Sequence, residues 1–336
     1  GNMLVATEQM GIAVLDVVNK SFTASTQIPC SFISEGLEDF NLTGNSVRSL
    51  LLDKYNNVWA GFYGSGINFL TQSVASFSTI RAGVPDQLQR LTEKSVMGLV
   101  FDKNGQLWVG TDGKGLNVFS PERKRLATYE HEGGSIVAAA TRDSNGNLWF
   151  GSFYQGATVK MAGGGFRKVL PDAHEDVRCF YEDDKQQMWI GTAHGIYVVD
   201  IKRMKLVNNY HLGNDMVRAI CMDAQHRVWV GYFGIGIEVF SPQMKRIKSF
   251  NSTKGEKEYI PSNAVNHLMR DSQGRIWAAT NEGAICFDVK NQDRHVIYDQ
   301  RQGMSNIHVR AIIEDEMHNI WMSTNRGISC LKAGQA

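Results

Sequence analysis

Three six-residue stretches carry the side chains best suited to holding a ligand. GFYGSG (61–66), GSFYQG (151–156) and GYFGIG (231–236) each set two adjacent aromatics between small residues: Phe62 and Tyr63, Phe153 and Tyr154, Tyr232 and Phe233. Rings exposed on loop tips stack on sugar faces or apolar groups, while polar neighbours supply hydrogen bonds. The alternative is that these rings cover the end of the fold and pack on one another. A second set is cationic. Arg48, Arg178, Arg218 and Arg310 each follow a valine that opens an apolar run, and Met97, Ala138 and Asn266 stand at the equivalent places. Gathered guanidinium groups suit a carboxylate, sulfate or phosphate, unless carboxylates such as Glu175 or Asp215 already pair with them inside the scaffold.

Signals for bond-making chemistry are weak. The nine histidines show no HxxxH spacing, and no Ser/His/Asp or Cys/His set stands out. Asp102-Lys103-Asn104-Gly105 starts like a calcium loop, but no closing glutamate follows and turn chemistry accounts for it. No residue is assigned a catalytic role, and no metal or cofactor is expected.

The elements that position these residues repeat. All seven tryptophans, Trp59, Trp108, Trp149, Trp189, Trp229, Trp277 and Trp321, have an aspartate six residues upstream: Asp53, Asp102, Asp143, Asp183, Asp223, Asp271 and Asp315. Their spacings of 49, 41, 40, 40, 48 and 44 residues are those of propeller blades rather than helical solenoids. Within each unit apolar residues alternate, so strands are predicted. Strand A starts at Val47, Val96, Val137, Val177, Val217, Val265 and Val309 and ends at the aspartate. Asn104-Gly105 and Asn145-Gly146 make a hairpin turn, whereas Gln186, His226 and His318 must take up positive φ at some strain. Strand B carries the tryptophan, and the residue two later is always small (Gly61, Gly110, Gly151, Gly191, Gly231, Ala279, Ser323), which leaves a gap for a side chain of the neighbouring sheet. A glycine opens strand C, and a variable strand D follows, as at Leu126 to Glu130 or Arg246 to Phe250.

The expected fold is all-β, a seven-bladed β-propeller of four-stranded antiparallel blades, with a strand near Phe22 closing the ring against Val309 to Leu331. Met3 to Val17 reads as a further B–C hairpin lacking the tryptophan. Residues 1–20 are thus expected to be a leftover hairpin of a preceding or incomplete blade, and 21–336 a single propeller domain; the alternative is eight blades with one incomplete. In a propeller the B–C loops and D–A connections share one face. That places the aromatic stretches, His194 and the long connections Gly83 to Lys94 and Thr253 to Ser262 together, with the arginines at the channel mouth.

Lysine plus arginine total 35 against 34 acidic residues, so no overall field draws the protein to nucleic acid. No apolar run reaches the roughly 20 residues of a membrane helix, and no membrane insertion is expected. The five cysteines lack metal-ligand spacing and read as buried free thiols.

The repeat D-x-x-G-x-[LI]-W-[VI]-G-T-x-x-G-[LI], present as DKNGQLWVGTDGKGL, DSNGNLWFGSFYQGA and DDKQQMWIGTAHGI, resembles the regulator-propeller repeat of hybrid two-component sensors, large gut-bacterial receptors that detect glycans. In that family two such propellers precede an immunoglobulin-like domain, a membrane helix, a histidine kinase and a response regulator. The resemblance implies a periplasmic, non-catalytic sensor segment whose partner is an oligosaccharide or other small ligand, with a homodimer formed through propeller contacts. Two other classes stay open. A polysaccharide or lactone-type lyase would need a histidine and an acid converging at the channel mouth, where His194 and His308 are placed but no acid repeats beside them. A protein-docking platform would need a large apolar patch.

Overall fold

Period-two alternation broken by turns yields a chain that is almost entirely strand. The computed structural model describes residues 2–6, 12–16, 30–33, 47–52, 58–64, 66–70, 77–82, 90–130, 132, 134–170, 175–213 and 215–334. In each tryptophan-bearing unit the described strands pair in sequence order as an antiparallel meander of A, B, C and, in blades 1 to 6, D, with a short parallel strand, Arg90–Leu91, added to blade 1. The seven units form a seven-bladed β-propeller. All seven A strands begin at the valine that the repeat predicts. Blade 4 shows the pattern: A is Val177–Glu182, B Gln187–Thr192, C Gly195–Asp200 and D Lys205–His211. Among the described residues blade 7 has three strands, ending at Gly327–Leu331.

The N-terminal hairpin also forms, Asn2–Ala6 against Ile12–Asp16. Cys30–Ile33 adds to its second strand as a third. This small sheet lies against the last strand of blade 7 on one side and strand A of blade 1 on the other. The strand expected near Phe22 lies outside the described residues.

Blades bury their faces on one another, and the small residue of strand B makes this possible. A Cβ built on Gly110 would lie 2.7 Å from Val137 Cγ1, and one on Gly231 2.6 Å from Val265 Cγ1. In both cases the first valine of the next A strand fills the gap. Where the glycine is replaced, Ala279 shares a buried cluster with Val309 of the next blade. The tryptophans are the largest side chains of this core, and Trp59, Trp149, Trp229 and Trp277 are almost wholly buried.

In blades 2 to 7 the aspartate six residues before the tryptophan holds the A–B turn. In blade 3, Asp143 Oδ1 accepts from the Asn145 and Asn147 amides, and Oδ2 accepts from Asn147 Nδ2 and, at 2.8 Å, from Trp149 Nε1. The same indole-to-carboxylate bond spans 2.7 to 2.9 Å in blades 4 to 7. Blade 2 departs. Asp102 caps its turn, but the buried Trp108 Nε1 finds no hydrogen-bond partner among the described residues. Gln186, His226 and His318 have φ of 59°, 57° and 62°, the positive values expected of these turns. Cys179, Cys221, Cys286 and Cys330 are free thiols, each pushed by burial up to about 12.

Candidate functional site

The opposite end of each blade is latched by backbone hydrogen bonds that prove the shared face. The B–C loop amide donates to the D–A connection of its own blade, as Phe153 to the Ile136 carbonyl and Phe233 to that of Met216. The strand-opening glycine donates to the connection of the next blade, as Gly156 to Glu175 and Gly236 to Asn263. Gly66 likewise reaches the Lys94 carbonyl, at the end of a connection whose residues 83–89 lie outside the described ones.

Not every predicted aromatic reaches this surface. Tyr63 is 57% exposed, Tyr154 65% and Phe233 49%, whereas Phe62 and Tyr232 are 0% exposed. Phe153 is half-buried. The expectation that both rings of each pair are available therefore fails for Phe62 and Tyr232. The reason is that strand B, buried from its tryptophan onward, runs on to include them. Both stand three residues after the tryptophan, the last place of strand B, where Val47 pairs with Phe62 and Val217 with Tyr232. Other blades put Thr111, Ser152, Thr192, Thr280 and Thr324 there, all buried. The loop tip starts one residue later. Tyr232 also donates its hydroxyl to Glu238 Oε2 at 3.0 Å, and Arg246 holds the other oxygen of that carboxylate at 2.7 Å. Burial, then Glu238, drives the Tyr232 phenol upward.

The arginines owe their position to an irregularity common to all blades. Strand A opens with a β-bulge: the first and third residues pair with successive residues of strand B and the second is left out of the ladder. That second residue is Arg48, Met97, Ala138, Arg178, Arg218, Asn266 and Arg310 in blades 1 to 7. A bulge re-aims the side chain of its extra residue, and here it frees this position at the top of every inner strand.

Aromatics and arginines are then joined. The Arg178 guanidinium lies 4.0 Å from the centre of the Phe153 ring, Arg218 4.5 Å from Phe233 and Arg48 5.2 Å from Tyr63, all within cation–π range. Asp176 locks the first pair, accepting from Arg178 Nη2 at 3.0 Å and from the Tyr154 amide at 2.9 Å. This steadies Tyr154, whose φ of 60° is a strained value for a bulky residue. Asp215 accepts instead from the Met216 and Gly234 amides, both at 2.8 Å. Arg218 donates to Asn266 Oδ1 at 3.0 Å, and Arg310 Nε to Asn325 Oδ1 at 2.9 Å. Of the two carboxylates expected to neutralise the arginines, neither makes an ion pair with one. Glu175 accepts from the Tyr197 hydroxyl at 2.8 Å and lies 3.3 Å from His194 Nδ1. Burial alone would raise its pKa, but these hydrogen bonds outweigh burial and lower it.

Sequence reasoning missed two parts of this arrangement. Asp176 was not singled out, although it is an acid two residues before a collar arginine. The pairing of His194 with Glu175 was missed because the two sit 19 residues apart on different loops. Among the described residues, no three His, Cys, Asp or Glu side chains gather to hold a metal ion, and no helix is long and apolar enough to cross a membrane.

A ring of sheets with variable loops and a polar collar on one face is a β-propeller. The repeats narrow it further. Residues 90–113, 172–194, 211–234 and 259–282 match the two component regulator propeller family, each match running from the end of a D–A connection through strands A and B into the loop. The chain is similar over 98% of its length to the extracellular domain of a hybrid two-component system from B. thetaiotaomicron, at 34% identity and a TM-score of 0.67. It is 23% identical over 187 residues to histidine kinase P4 of Formosa agariphila. The chain thus carries two component regulator propeller repeats and is similar to the extracellular domains of hybrid two-component systems. It spans 43% of the B. thetaiotaomicron domain and 13% of the kinase. Virginiamycin B lyase from Staphylococcus aureus shares the fold alone, at 12% identity and a TM-score of 0.63 over 84% of this chain and 93% of that one.

Proposed function

We propose that this propeller is a non-catalytic, periplasmic sensing segment that binds an oligosaccharide on its top face and passes the event to a histidine kinase elsewhere in the receptor. The observation that carries the reading is the set of three exposed rings, Tyr63, Tyr154 and Phe233, in alternate blades 1, 3 and 5 of one face. Each belongs to a loop in which an arginine stacks on a ring. Exposed aromatics braced by charge, with Tyr154 also held at a strained φ, are poor choices for stability and good ones for stacking on sugar rings. The test is calorimetry against a panel of neutral and acidic oligosaccharides with Tyr63, Tyr154 and Phe233 all replaced by alanine. The variant is expected to melt with the parent and to lose roughly tenfold or more in affinity. Unchanged affinity removes these loops from the site.

One constellation favours a second reading, a lyase. Glu175 engages Nδ1 of the exposed His194 at 3.3 Å and the Tyr197 hydroxyl at 2.8 Å, which would orient the other imidazole nitrogen as a general base. Appearance of unsaturated products from polyuronides, abolished by His194→Ala, would establish it. Its absence together with saturable glycan binding decides for the sensor.

A further inference from the structure

Resting on the top face as the ligand platform, we propose that the arc of the channel mouth from blade 4 to blade 7 is an anion subsite. It takes a carboxylate or sulfate group of an acidic glycan, with Arg218 as its central donor. The bulged position carries arginine in blades 4, 5 and 7 and Asn266 in blade 6, while blades 2 and 3 place Met97 and Ala138 there. Charge is therefore gathered on one side of the mouth.

Of the described acids nearby, only Asp176 forms an ion pair with an arginine of this arc, Arg178. Asp215 is held by two loop amides and Glu175 by Tyr197 and His194, and Asp176 divides itself between Arg178 and the Tyr154 amide. The hydrogen bond that Arg218 makes is to a neutral amide, and its other close partner is the face of Phe233. Stacking occupies the flat face of a guanidinium and leaves its N–H groups, which point outward in the plane, for an oxyanion. Arg178 Nε is buried with no hydrogen-bond partner among the described residues. Arg218 also feels its neighbours: burial first, then the charges of Arg178 and Arg310, lower its pKa, and the opposing charge of Asp215 does not outweigh them. Like charges held together by the backbone oppose folding, and an anion seated among them removes that opposition.

Two measurements test this separately from the aromatic platform. The first compares melting temperature in sodium sulfate and sodium chloride at equal ionic strength. Sulfate should raise it further in the parent and in the triple aromatic variant, and this excess should vanish in Arg218→Met. The second compares binding of digalacturonate with that of its methyl ester, and the acid should bind at least about fivefold more tightly, the preference falling in Arg218→Met and surviving in Arg218→Lys. Should Arg218→Met fail to fold, Arg310→Met serves in its place. Equal melting temperatures in the two salts, or a sulfate excess that survives both methionine variants, overturns the anion subsite. A sulfate effect without preference for the acid sugar overturns its assignment to acidic glycans. Loss of binding to neutral sugars alone, in the triple aromatic variant, bears on the platform and not on the collar.

Discussion

The two ends of the blades solve opposite problems with the same strands. At the A–B end, a buried carboxylate collects the amides of the turn and the indole of its own blade, and blades 3 to 7 all repeat it. Glu182 and Glu314 extend this across blades by accepting from Ser144 and Ser272 of the preceding turn. At the B–C end the backbone latches repeat but the side chains do not: Tyr154, His194, Gly234 and Glu282 occupy one equivalent loop position. Uniform side chains mark the end that holds the ring together, and varied side chains on a uniform backbone mark the end free to recognise something. Removing a side chain should therefore unfold the protein at one end and alter binding at the other.

The largest effect falls on Asp143. Replacing it with alanine leaves Trp149 Nε1, Asn147 Nδ2 and two turn amides without their acceptor, and the loss should be roughly 4–6 kcal/mol of unfolding free energy in urea titration. Asp102→Ala is the control within the same end. Its carboxylate takes two turn amides but not the indole, so about 1–2 kcal/mol is expected. Equal losses would mean that the indole bond is not what distinguishes the blades.

Next come two tyrosines at the recognition end. Tyr232→Ala empties a fully buried site and leaves Glu238 with Arg246 alone, at a cost of about 3–5 kcal/mol. Tyr154→Ala should stay within about 0.5 kcal/mol of the parent and change glycan affinity only. If both destabilise alike, the top face is scaffold as well.

These tyrosines also show how far the sequence could be read. The recurrence of Asp and Trp identified the blades, the start of every A strand and the common face of the loops, because a period of this length with small residues after the indole has few packing solutions. The boundary between strand B and its loop was not visible in the aromatic copies, since Phe62 and Tyr232 look like loop residues beside Tyr63 and Phe233. Counting three from the tryptophan would have placed them inside, where the other blades keep serine or threonine. The bulge at the second residue of strand A left no trace in the alternation, because one extra residue at a strand's first position shifts nothing that follows. The role of Asp143 and its equivalents was present as a spacing but not as a bond.

The smallest effect sharpens the picture of the A–B end. Glu314 accepts from the Ser272 amide at 2.7 Å and hydroxyl at 2.6 Å, and lies 3.1 Å from His318 Nδ1. Burial works to raise its pKa, but the bonds from Ser272 and His318 outweigh it and bring the group below its ordinary value. A carboxyl depressed on folding contributes stability that is present above its unfolded pKa of roughly 4.3 and is lost as pH falls through the folded value. Glu314→Gln keeps the shape and one acceptor, so it should cost about 1 kcal/mol at pH 7. The gap to the parent should narrow as pH falls below about 4.3 and close once it has passed through the lowered folded value, where the parent is itself protonated. Urea midpoints of the two proteins across that range would show it. A gap that persists in acid would make the contact one of packing rather than charge, and the clamp between blades 6 and 7 would no longer belong with the carboxylates that hold the turns.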